Sequence, residues 1–168
     1  VVQDSDAIEA DYGPYTPLEF LVRLPETLES DSAPAVLRAV AAWQDKMEEL
    51  PSVGWTQSYV DGLRRLEQIW TDGSPQSYRL PADDTMLSQL MLSYEPSGDP
   101  GLPQLLSEDQ STLRVTVGVP MGSARQFEAQ ISTLQGLAEL PEDAELEVTG
   151  YLPLYVSMMD AVVESQLS

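Results

Sequence analysis

The chain has 168 residues, 42% of them hydrophobic, and its 28 acidic side chains against 8 basic ones give a formal net charge of -20. That length fits one domain able to bury roughly 70% of its unfolded surface, and that charge repels nucleic acid and anionic lipid headgroups. With no Cys and no His, thiolate nucleophiles, Cys/His zinc sites, histidine acid–base chemistry and Ser-His-Asp triads are all excluded.

The amino end has no basic region ahead of an apolar run, so it is no signal peptide. It also lacks an initiator Met, and the sequence therefore reads as a piece of a longer chain. No run reaches 18 apolar residues, so no membrane-spanning helix is expected. Without Cys, the compartment stays open between cytoplasm and periplasm.

In chain order, residues 4–11 read as a short leader helix, ended by Gly13, Pro14 and Pro17. A strand over 18–24 follows, with Leu18, Phe20, Val22 and Leu24 on one face and Glu19, Leu21 and Arg23 on the other. After an acidic loop, Asp31 or Ser32 caps a helix with Pro34 in its first turn. Val36, Val40, Trp43, Met47 and Leu50 form its apolar stripe, while Arg38, Gln44, Asp45, Glu48 and Glu49 take the other face. Pro51 stops it, and Val53 and Trp55 open the inward face of a second strand.

Residues 60–110 form an insert too long for a plain loop. Within it, 60–70 reads as a helix with Leu63, Leu66, Ile69 and Trp70 on one side and Arg64, Arg65 and Glu67 opposite. A break at 71–75 precedes a helix capped by Asp83 or Asp84, where Met86, Leu87, Leu90, Met91 and Tyr94 cluster. Residues 95–103 read as a Gly/Pro loop.

The plan then repeats. Leu113, Val115, Val117 and Val119 alternate in a strand. Ser123 and Gln126 form a capping box, and Phe127, Ile131, Leu134 and Ala138 form a helical stripe flanked by Leu137 and Leu140. Leu146 and Val148 face inward from a fourth strand. Residues 17–59 and 112–151 are thus two strand–helix–strand copies, each closing on a Tyr, as an internal duplication would give. The order βαβ…βαβ predicts an α+β fold, a ferredoxin-like split βαβ sandwich with both helices on one sheet face, a helical insert and helical termini. A last helix over 153–168, with Tyr155, Met158, Met159, Val162 and Val163, is still apolar in pattern at its end.

No catalytic constellation emerges. The acidic pairs Asp83/Asp84, Glu142/Asp143 and Glu145/Glu147 lack the alternating loop of a calcium site and point apart, so they read as caps or solvated surface. Ser123 has no base and sits in no nucleophile elbow; Gly118 and Gly122 make no dinucleotide fingerprint. No catalytic, cofactor-binding or metal residue is assigned. Trp70, Met86, Met91, Tyr94, Tyr155, Met158 and Met159 are the candidate substrate or interdomain contacts, being adaptable apolar groups outside the two copies. Packing of insert and tail onto the sandwich is the simpler account of the same residues.

The order of short motifs carries a resemblance. Tyr12-Gly13 and Pro17-Leu18-Glu19 lead into the first strand, the first helix ends in the run 48–54 (EELPSVG), and LRVTV spans 113–117. The stretch 148–155 (VTGYLPLY) enters the last helix, which holds Ser165-Gln166. Over essentially the whole chain this resembles the first large extracytoplasmic loop of RND-superfamily exporters of the MMPL type, relatives of hopanoid and lipid exporters. The resemblance implies a porter domain between two membrane helices, outside the bacterial inner membrane, with no enzymatic activity and no cofactor. It implies as partners the rest of the same chain, including a second extracytoplasmic loop, sister subunits, and hydrophobic or lipid-like cargo. Family proton-relay carboxylates lie in membrane helices that this chain lacks, so no such residue carries over. The alternative is a free-standing ferredoxin-like module binding a ligand or partner; an enzyme ranks third.

Overall fold

The computed structural model describes residues 16–94 and 101–151, with Leu154 and Met158. The expected leader helix over 4–11, residues 95–100 of the Gly/Pro loop, and most of the last helix lie outside the described residues. In chain order the elements are β1 (Thr16–Arg23), α1 (Ala33–Glu48), β2 (Trp55–Ser58), α2 (Tyr59–Thr71), α3 (Asp84–Tyr94), α4 (Leu102–Leu105), β3 (Thr112–Val119), α5 (Ala124–Gly136) and β4 (Glu145–Thr149), with a 3-10 turn at Pro75–Ser77.

The alternation in β1 and β3 does what period-two patterning requires. Leu18, Phe20 and Val22 and, opposite them, Leu113, Val115 and Val117 are fully buried, in a register that pairs Leu18 with Val117, Phe20 with Val115 and Val22 with Leu113. One sheet of four antiparallel strands results, in the order β2-β3-β1-β4. This is an α+β fold consistent with a ferredoxin-like βαβ arrangement.

Two helices cover the apolar sheet face. Val36, Val40, Trp43 and Met47 of α1 are buried, as are Phe127 and Leu134 of α5. The Trp43 ring meets Phe20 edge-on, with centroids 5.3 Å apart, and its indole N–H donates to the Leu134 carbonyl at 2.7 Å. One side chain thereby bridges sheet, α1 and the last turn of α5, where carbonyls lack helical partners. Each large side chain so buried contributes about 1.5–3 kcal/mol of transfer free energy. Lys46 reinforces the junction by pairing with Glu139 at 2.8 Å. Ser123 and Gln126 form the expected capping box at the start of α5.

Several sequence expectations need correction. Ser32 occupies the N-cap position of α1 without a side-chain cap bond; its hydroxyl lies 2.9 Å from that of Ser30 instead. Gln44, expected on the solvated face, is 0% exposed, because Ser58 and Thr56 of β2 present hydroxyls to it. Trp55 is not inward: it is 39% exposed and pairs with Gly118, its indole occupying the space a Gly118 side chain would need. In a strand, a shift of one residue reverses every face, so Thr56 and Ser58 take the inward positions of β2, while Val53, just before the strand, does pack against the core.

The two copies also diverge at their closing tyrosines. Tyr59 begins α2 and is buried, whereas Tyr151 is exposed. In α2 the buried face is Tyr59, Val60, Leu63, Arg64 and Gln68, so Ile69 and Trp70 face solvent and Arg64 does not. Arg64 is drawn in by the Asp45 carboxylate, with Nη2 at 2.8 and 2.9 Å from its two oxygens. Leu102 and Pro103, expected at the end of a loop, instead open a helical turn over Leu102–Leu105.

Candidate functional site

A groove is built where the β1–α1 connection meets α3. Its position is fixed from both sides. On one side, Asp109 accepts hydrogen bonds from Ser107 Oγ at 2.6 Å and from Ser111 N and Oγ at 3.2 and 2.8 Å. Those bonds hold the Asp109 carboxyl below the ordinary aspartate range and shape a turn in which Gln110 adopts a φ of 57°. The Gln110 carbonyl then accepts from Leu28 N at 3.0 Å, pinning the 24–32 connection.

On the other side, α3 starts at Asp83, whose carboxylate caps Met86 N at 2.9 Å. Arg38 of α1 pairs with Asp84 and donates to the carbonyls of Pro81 and Ala82 at 3.1 and 2.9 Å. A single guanidinium thus holds the start of α3 against α1. Farther along, Tyr94 stacks at a tilt on Tyr59 with ring centroids 5.2 Å apart.

Between these two walls lies a groove of about 600 Å³, within the size range of small-molecule sites. Leu28, Pro34, Tyr59 and Met91 are its buried apolar floor, and Leu92, 69% exposed, stands at its mouth. Glu29, Asp31 and Asp84 supply its charged lining, which includes no Lys or Arg. Asp84 is neutralised by Arg38, whereas Glu29 and Asp31 form no ion pair among the described residues. The arrangement offers an apolar floor with two exposed carboxylates, Glu29 and Asp31, in the surrounding lining.

The seven candidate contact residues fall in different places. Met91 lies in the groove floor, and Tyr94 is buried behind it against Tyr59. Met86 and Trp70 are 52% and 55% exposed and do not line the groove. Met158 is helical and exposed, while Tyr155 and Met159 lie outside the described residues. Leu28 and Tyr59 were not among the candidates, since one sits in a polar loop and the other reads as a strand's closing residue. Their hydrophobicity was visible; their convergence depends on the turn at Gln110.

Three of the six carboxylates in the acidic pairs have structural roles. Asp83 caps α3, Asp84 binds Arg38 and Glu147 pairs with Arg23 at 2.9 Å. Among the described residues, no three Asp or Glu side chains group as metal ligands. Ser123 is the cap of α5. A second polar cluster surrounds Tyr78, whose hydroxyl donates to Asp61 at 3.1 Å. Burial, then the Asp61 carboxylate, pushes its pKa up to about 12, with Arg64 and Arg65 opposing.

No known family model matches the chain, and no curated protein matches it significantly.

Proposed function

We propose that the chain is a non-enzymatic porter domain of an RND-type exporter of the MMPL type, placed outside the bacterial inner membrane and handling hydrophobic or lipid-like cargo. The two βαβ units form a ferredoxin-like sandwich in this reading, and the helical insert and last helix contact the rest of the transporter or its cargo. The order of short motifs along the chain supports it, as does the β2-β3-β1-β4 order of the sheet.

The observation that carries the reading is the exposure of large apolar side chains after β4. Tyr151, Leu154 and Met158 are all helical, spaced three and four apart, and 74%, 65% and 66% exposed. That spacing places them on one helix face, and contiguous exposed apolar surface marks contact with a partner or membrane. Ile69 and Trp70 on α2 add exposed apolar side chains on the insert. Among the described residues no helix is long and apolar enough to cross a membrane, so in this reading the spans flank the domain. Reading the coding sequence on both sides tests this. Apolar stretches of about 20 residues before and after the domain are expected; their absence on both sides would overturn it.

One observation favours a second reading, a free-standing ligand-binding module. The groove beside α3 is lined by side chains from separate segments of this chain.

A further inference from the structure

We propose that the groove between the 28–34 segment and α3 is a binding site for a monovalent cationic amphiphile. Its alkyl part lies on Leu28, Pro34, Tyr59 and Met91, and its ammonium group sits at Glu29 and Asp31. The floor offers buried apolar side chains, and covering an alkyl chain there removes its surface from water. The two carboxylates select the sign of the headgroup. Glu29 and Asp31 have no cationic partner among the described residues, and Arg38 is committed to Asp84 and two carbonyls.

An anionic headgroup would meet two uncompensated carboxylates and no donor cation. A neutral one would gain the floor and hydrogen bonds to the Ser30, Thr85 and Ser88 part of the lining, but no attraction between opposite charges. A bare metal ion would not use the apolar slot, and the carboxylates do not group as ligands. The net charge of -20 adds a long-range attraction for cations, but that attraction is not confined to any site and is screened by salt. Local selectivity must come from the rim pair. The proposal rests on the porter reading only in taking such a molecule as cargo; the groove itself belongs to this chain.

The test is calorimetric titration of the 168-residue chain with decyltrimethylammonium and with decyl sulfate, both below their micelle concentrations. Saturable binding of the ammonium is expected at one site, with decyl sulfate weaker by about tenfold or more. Glu29→Gln with Asp31→Asn should weaken the ammonium by about tenfold. Glu142→Gln with Asp143→Asn, the same charge change on a distant turn, should leave it within about twofold. Met91→Trp, which fills the floor, should also block binding; should that variant unfold, the exposed rim pair decides alone.

Equal loss from both charge pairs would reduce the effect to the general field and overturn the site. So would equal affinity for the two probes, or no saturation. Failure here leaves the membrane placement untouched. Saturable binding by a gene product found free of the membrane would retire the porter reading and keep the groove.

Discussion

Tyr94 lies so close to the α2 backbone that a side chain on Gly62 would collide with its ring, an added Cβ falling 2.1 Å from Tyr94 Cζ. Tyr94 is 4% exposed, so a side chain at position 62 would force a buried ring to shift, and the glycine is what lets α3 seat against α2 and the tyrosine reach Tyr59. Helix propensity alone favours Ala over Gly by about 1 kcal/mol. Gly62→Ala should nonetheless destabilise the fold by about 2 kcal/mol through overpacking. Gly136→Ala, where nothing lies within 4 Å, should be neutral or stabilise by about 0.5 kcal/mol. Urea denaturation of both variants checks the contrast.

Gln44 is the polar centre of the α1–β2–α2 junction. Its Nε2 donates to Thr56 Oγ1 and Asp61 Oδ2, each at 3.0 Å, and its Oε1 accepts from Ser58 Oγ at 2.7 Å. Ser58 in turn caps α2. Gln44→Met keeps much of the volume but strands the buried Ser58 hydroxyl, at a cost of about 1–3 kcal/mol. The same substitution combined with Ser58→Ala should cost less than the sum of the two singles. A double-mutant cycle measured by denaturation reads that coupling.

Tyr78 links the insert to pH. Its folded pKa, about 12, stands above the ordinary phenol value of about 10. The folded state therefore holds the proton more tightly than the unfolded chain. Its stabilising effect is complete below about pH 10 and is lost as pH rises toward 12. Ultraviolet titration of tyrosinate should show a late-ionising component that Tyr78→Phe reduces by one group, and the variant should lose less stability between those pH values.

Charge repulsion should make stability salt-dependent. The five ion pairs among the described residues leave most of the 28 carboxylates without a cation. Screening relieves that repulsion, and Tm should rise by about 3 °C or more between about 0.02 and 0.5 M NaCl. Calorimetric scans at several salt concentrations check it.

Long periodic segments were legible in the sequence. β1 and β3 each alternate over several residues, α1 and α5 each carry an unbroken apolar stripe, and the Ser123/Gln126 box announces its helix. β2 was not, because only four residues define it and its inward positions are Thr56 and Ser58. Short polar residues facing a buried Gln44 invert the usual hydrophobic signal, and Trp55 follows Gly118 rather than the core. Arg64 was misplaced because its charge marks it as solvated, yet its guanidinium is held against α1 by the exposed Asp45 carboxylate. The groove depends on contacts between segments far apart in sequence, such as Leu28 with Gln110 and Arg38 with Asp84. No local pattern encodes those.

The most direct measurement of where the domain sits is to tag the natural gene product, fractionate the cells, wash the membranes at alkaline pH and add protease from outside the inner membrane. Retention in the washed membranes, with cleavage inside this domain from the outer side, is what the porter account predicts. Recovery in the soluble fraction, or protection from external protease in intact spheroplasts, would contradict it.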